Sequence, residues 1–204
     1  MKPSVVIFDY GSGNLRSAER ALERTGARVT LTADPSRARD ADGLVVPGVG
    51  AFAACMTGLR SVGGVEVIAE RARADRPVLG ICVGHQILFH NGVEHGVDTA
   101  GCDVLPGTVE RLDADRLPHI GWNTVAAPSQ SRLLAGLDGG YFYFVHSYAV
   151  RTDIPGARVA WAEHGGDRFV AVVEKGSISS TQFHPEKSGD AGAQLLSNWV
   201  GQLH

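Results

Sequence analysis

The chain has 204 residues, 19 Lys and Arg against 22 Asp and Glu, a net charge of −3 and an apolar share of 44%. This balance gives no reason to expect nucleic acid or an anionic membrane as partner, and the length suits a single domain over residues 1–204 with a real core. Cys55, Cys82 and Cys102 are too few and too scattered for a disulfide framework or a zinc motif and fit a reducing cytoplasm, while the apolar run before Asp9 is too short for a signal peptide or a membrane span.

Residues 5–8, Val-Val-Ile-Phe, form a continuous β-branched and aromatic run, which predicts a buried parallel strand. The glycine-rich stretch 9–14 reads as a turn. Residues 15–24 then place Leu15, Ala18, Ala21 and Leu22 at helical spacing. Short strands are expected at 28–31 and 44–46. Pro47-Gly48-Val49-Gly50 reads as a loop, followed by a helix through Phe52 and Met56 and another over 65–74. Residues 78–81 are the next strand. This alternation predicts parallel strands joined by right-handed crossovers, an open, mostly parallel, doubly wound α/β sheet with flanking helices.

The strand at 78–81 runs into Gly80-Ile81-Cys82-Val83-Gly84, and a helical pattern follows at once. That is the layout of a nucleophile elbow with cysteine in place of serine. Small residues on both sides let the backbone turn sharply. The turn lifts the sulfur to the carboxyl edge of the sheet and to the positive end of the next helix, where the thiolate is favoured.

The second half reads as strands at 103–112, 120–126, 141–145, 158–163, 168–174 and 177–182, an additional antiparallel β portion. Gly165-Gly166-Asp167 and Lys175-Gly176 are hairpin signals. Strands within 170–173 and 178–182 are expected to rejoin the main sheet and present His184 at its active edge. Residues 192–203 form a terminal amphipathic helix. Glu186 lies two residues beyond His184, and an extended backbone through Pro185 points both side chains the same way. The carboxylate then orients the imidazole, and Cys82, His184 and Glu186 form a set suited to amide hydrolysis.

Backbone N–H groups of Gly48, Val49 and Gly50, with that of Val83 after the nucleophile, are candidates for an oxyanion hole. Glycine permits a peptide flip there, which makes the segment a plausible gate. The aromatic strand 141–144 reads as core packing, with Ser147 and Tyr148 beyond its end in reach of a pocket. Gly11-Ser12-Gly13 lacks the third glycine of a dinucleotide fingerprint and any Walker lysine. His85, His90 and His95 lack metal-ligand spacing with acids. No cofactor and no metal are expected.

Gly80-Ile81-Cys82-Val83-Gly84-His85-Gln86, with His184-Pro185-Glu186 far downstream, resembles the class I glutamine amidotransferases. The resemblance implies hydrolysis of the glutamine side-chain amide through a Cys82 thioester, with ammonia passed to a synthase. It also implies that Gly50, Gln86, Glu94, Ser147 and Tyr148 hold glutamine. The stretches 8–17 (Phe-Asp-Tyr-Gly-Ser-Gly-Asn-Leu-Arg-Ser), 47–52, 118–123 and 143–148 are similar to one branch of that family. Its partner is a (β/α)₈-barrel cyclase, reached by ammonia through a protected channel. Asn14 and Arg16, with Trp122 and Asn123 on a polar-aromatic loop, would then face that partner. His85 stands where the branch more often has methionine. Three other readings stay open: the glutaminase of another pathway, such as anthranilate or pyridoxal phosphate synthesis, a non-catalytic regulatory subunit, and a stand-alone cysteine hydrolase.

Overall fold

In the computed structural model, which describes residues 1–203, the first apolar run forms β1 (Ser4–Phe8). It is followed by α1 (Leu15–Glu23), β2 (Arg28–Thr32), α2 (Pro35–Asp40) and β3 (Gly43–Gly48). Helices α3 (Phe52–Ser61) and α4 (Gly64–Arg73) lead to β4 (Val78–Cys82) and the single turn α5 (Val83–Gln86). Then come β5 (Phe89–Glu94), β6 (Val97–Ala100), β7 (Leu105–Arg111), β8 (His119–Thr124), β9 (Tyr141–His146) and β10 (Tyr148–Ala149). The chain continues through β11 (Arg158–His164), β12 (Asp167–Lys175), β13 (Ile178–Thr181), a 3₁₀ turn at Pro185–Lys187 and α6 (Gly189–Val200).

Seven strands make the main sheet, in the order β11-β12-β13-β4-β3-β1-β2. The five from β13 to β2 run parallel, and β12 and β11 extend the sheet antiparallel. Strands β3 and β4 are buried along their whole length, as continuous apolar runs must be when helices cover both faces. Helix α1 packs with α6, while α2 and α3 pack with α4. Right-handed crossovers from β1 to β2 and from β2 back to β3 put these two groups on opposite faces. As expected, β13 rejoins the sheet beside β4, with Ser180 paired to Gly80 and Thr181 to Ile81. That pairing delivers His184 to the edge where β4 ends.

The helical pattern read after Cys82 is only one turn long, and the chain then returns as the unexpected hairpin β5–β6. Its two-residue turn is His95-Gly96, both at positive φ (51° and 79°), the conformation that matches strand twist in short hairpins. Strand β5 also pairs in parallel with β7. The additional β portion is therefore mixed, a four-stranded sheet ordered β10-β7-β5-β6, with β8 and β9 forming a separate ribbon. Pro47 and Gly48, read as loop, are the end of β3. Helix α2 was not expected because Ala38 is its one buried residue. Its start is nonetheless signalled by Asp34, whose carboxylate accepts from the Ser36 N–H at 2.8 Å, and by Pro35 in the first turn.

A buried cation fastens this half of the molecule. The Arg71 guanidinium, 1% exposed, donates to the carbonyls of Ala38, Arg39, Ala41, Asp42 and Pro77 at 2.8–3.2 Å. It ties α4 to the α2–β3 connection and to the entry of β4. Burial lowers its pKa to about 10, leaving it charged at neutral pH. Arg71→Met leaves several carbonyls without a donor, each worth about 1–3 kcal/mol when buried. The expected loss is about 3–5 kcal/mol in urea unfolding, and a loss below about 1 kcal/mol would contradict this role.

Candidate active site

Cys82 ends β4 with φ 57° and ψ −114°, a conformation a non-glycine residue adopts only when its surroundings impose it. The imposition comes from close packing behind the turn. A Cβ on Gly84 would lie 1.8 Å from the Val46 carbonyl oxygen, and one on Gly48 would lie 2.6 Å from the Gly84 nitrogen. Glycine at 84 and 48 lets β3 and the elbow touch, and the strained turn presents the sulfur to a cleft of about 400 Å³. Because α5 is a single turn, the expected helix-end effect reduces to its first few N–H groups.

His184 reaches the same cleft. Its N–H donates to the Tyr143 carbonyl at 2.9 Å. Ser188 Oγ donates to the His184 carbonyl and accepts from the Tyr143 N–H. These bonds lock the segment against β9. The backbone folds into the 3₁₀ turn at Pro185 instead of staying extended, yet the expected contact forms. His184 Nδ1–H donates to Glu186 Oε1 at 2.7 Å, with both side chains under 5% exposed. The other ring nitrogen, Nε2, is buried and has no hydrogen-bond partner among the described residues. Burial disfavours the imidazolium, but Cys82 and Glu186 outweigh it and raise the pKa to about 9. The Cys82 thiol itself makes only a weak contact, 3.9 Å to the Val145 carbonyl.

The cleft also brings together Val49, Gly50, Val83, Gln86, Glu94, Ser147 and Tyr148. Gln86 Nε2 donates to the Tyr148 carbonyl at 2.8 Å and to Gln182 Oε1 at 3.0 Å. Glu94 Oε2 accepts from the Phe52 N–H at the start of α3, at 2.8 Å. The Val49 N–H and carbonyl are both engaged by one side chain. The N–H donates to Ser12 Oγ at 3.0 Å, and Ser12 Oγ donates back to the Val49 carbonyl at 2.8 Å. Gly50 follows at φ +94°. Gly48 lies behind the elbow and not on the cleft wall.

Asn14, Arg16, Trp122 and Asn123 lie outside the cleft. Asn14 and Arg16 are exposed, and Arg16 pairs with Glu19 at 2.7 Å. Trp122 and Asn123 belong to β8, where they pair with Tyr143 and Phe142, as the strand expected at 120–126 requires, and not to a polar-aromatic loop. Alternation sends them to opposite faces. Trp122 is 56% exposed beside Ile120, whereas Asn123 Nδ2 turns inward to the Glu163 carbonyl at 2.8 Å. Two further polar residues line the cleft, His146 and Lys187. Their signals were positional: one precedes Ser147, and the other follows Glu186. Among the described residues no group of three His, Cys, Asp or Glu side chains is placed to hold a metal.

A thiol poised beside a buried imidazole–carboxylate pair, at the carboxyl edge of a doubly wound sheet, suits amide cleavage through a thioester. The family model for class-I glutamine amidotransferases matches residues 6–203, and the chain belongs to that family. Among its relatives, the imidazole glycerol phosphate synthase subunit HisH of Nocardia farcinica is 63% identical, with 99% of each chain covered. The subunit of the same name from Thermobifida fusca is 61% identical, with both chains covered in full. Solved structures agree in fold. A crystal structure of a glutamine amidotransferase superposes with a TM-score of 0.76 at 21% identity, covering 97% of this chain and 98% of that one. PurLQS from Thermotoga maritima gives 0.76 at 19% identity, covering 98% and 99%.

Proposed function

We propose that the chain is the glutaminase subunit of imidazole glycerol phosphate synthase, hydrolysing glutamine and handing ammonia to a (β/α)₈-barrel cyclase in histidine biosynthesis. The observation that carries this reading is end-to-end identity above 60% to subunits of that name, in a chain that brings Cys82 and His184 to one cleft with Glu186 bonded behind the imidazole. Cys82 Sγ attacks the side-chain carbonyl carbon of glutamine. The C–N bond breaks as His184 gives a proton to the departing nitrogen, which leaves as ammonia. Water then attacks the γ-glutamyl thioester while His184 takes its proton, releasing glutamate and the thiol. Glu186 holds the imidazole in the tautomer that aims Nε2 at the sulfur.

In this reading Glu94 and the Gln86–Tyr148 wall receive the amino-acid end of glutamine. The oxyanion hole is incomplete while the Val49 N–H is bonded to Ser12, so a turn of that peptide accompanies activation. A ligand on the cyclase shifts the balance between the two loop states. The partner seats on the outer face of the β8–β9 ribbon, where Ile120, Trp122 and Tyr141 are all more than half exposed.

Two measurements test the assignment. Glutamate release is expected to rise at least about tenfold when the barrel cyclase and its ligand are added, the size of a coupling free energy of about 1.4 kcal/mol. The gene is expected to restore growth to a histidine auxotroph lacking this subunit. Equal rates with and without partner would favour a stand-alone hydrolase, and failure of rescue would favour another pathway.

A further inference from the structure

The β8–β9 ribbon has two unlike faces. The outer face is apolar and exposed, with Ile120, Trp122 and Tyr141. The inner face buries two histidines, His119 and His146, which are 4% and 7% exposed. They are register partners across the ribbon, and His119 Nδ1 lies 3.1 Å from His146 Nε2. His146 Nδ1 lies 3.0 Å from the Tyr148 carbonyl. On the other side, Asn123 Nδ2 lies 3.4 Å from His119 Nε2.

Only one proton arrangement satisfies this chain. A carbonyl can only accept, so His146 carries its proton on Nδ1. Its Nε2 is then an acceptor, and His119 must donate from Nδ1. His119 Nε2 is in turn an acceptor, facing the Asn123 amide. Burial keeps both rings neutral, lowering His146 to about 3 and His119 to about 4. His119 is held in place between the rings of Phe144 and His164, stacked at 4.8 and 4.2 Å. The Tyr148 carbonyl where the chain ends also receives Gln86 Nε2–H at 2.8 Å. Gln86 and Tyr148 both line the cleft that holds Cys82.

We propose that His119 and His146 are positioning residues, a directional hydrogen-bond relay that fixes the Tyr148–Gln86 wall of the glutamine pocket and carries to it any shift of the ribbon when a partner docks on the outer face. The proposal rests on the glutaminase reading. Neither histidine touches the reacting atoms in this role. A shift of the ribbon moves the His119–His146 contact first, then the Tyr148 peptide, then the Gln86 amide. The coupling element is a single β-ribbon with an exposed side and a pocket side.

The experiment uses the chain in complex with its barrel cyclase. His119→Phe keeps an aromatic ring against Phe144 and His164 but removes the donor to His146. The KM for glutamine is expected to rise about fivefold, with kcat changed less than about twofold and complex formation by gel filtration unaltered; the split separates pocket positioning from chemistry. A wild-type KM, or a fall in kcat at unchanged KM, overturns the relay. Nitrogen-15 NMR of the wild-type imidazoles gives a second measurement independent of any variant. Both His119 and His146 are expected as Nδ1–H tautomers, with resonances that move when the cyclase is added. An Nε2–H form at either ring, or resonances unmoved by the cyclase, overturns the proposal. Absence of glutamine hydrolysis by the wild-type complex would instead sink the functional reading, and the tautomer result would still decide the relay.

Discussion

Cys82→Ala is expected to lower glutamine-dependent synthesis by the complex at least about 10⁴-fold, the scale on which removal of a covalent nucleophile acts, while added ammonium salt still supports the cyclase at the wild-type rate. The division follows from where the residue sits. Cys82 lines the cleft and is buried, and its strained backbone serves to present the sulfur. Alanine keeps the Cβ and so meets the same positive-φ constraint as cysteine, and it leaves the sheet pairings of β4 intact. Assembly with a partner is therefore unaffected. Water in place of the thiol cannot form the thioester, so the amide bond survives and no ammonia is generated. External ammonia bypasses that step. Loss of both activities together would mean that the residue supports assembly, and survival of glutamine-dependent turnover would remove the covalent mechanism.

The elbow was legible because its chemistry is local: glycine at 80 and 84, cysteine between them and an apolar strand before. The His184–Glu186 pair was legible for the same reason, although the backbone between them is a 3₁₀ turn. The contact survives because a donor and an acceptor two residues apart can meet in either conformation. Less visible was anything made by distant segments. Ser12 read as an ordinary turn residue until the fold placed its hydroxyl on the Val49 peptide. The histidine relay depends on the register of β8 against β9, and a one-residue slip would turn His119 and His146 outward. The β5–β6 hairpin escaped notice because its turn is His-Gly instead of Asn-Gly, the commoner signal for two residues at positive φ.

The second large effect concerns acid. Burial holds His85 at about 3, His146 at about 3 and His119 at about 4, all below the ordinary value of 6.5. In the unfolded chain these rings protonate near 6.5. Between that pH and their folded values the unfolded state binds more protons, so stability must fall as pH falls. Each ring contributes about 1.4 kcal/mol per pH unit, and the three together roughly 3–4 kcal/mol per unit below pH 6.5. His184 acts with the opposite sign. Its raised pKa stabilises the fold fully below 6.5, and that contribution disappears as pH rises through about 9. The chain is therefore expected to be most stable near pH 7, where the two opposing slopes cross, with the steeper loss on the acid side. Urea unfolding at pH 7, 6 and 5 measures the slope. His85→Met, which replaces a ring whose Nδ1 contacts Ser180 Oγ at 2.7 Å and whose Nε2 has no partner among the described residues, is expected to flatten it by about one third. His90→Asn is the control, because that ring is 65% exposed and paired with Asp103. Equal stability at pH 5 and pH 7 would show that the buried rings are hydrated or already charged in the native state, and the neutral relay through His119 and His146 would fall with it.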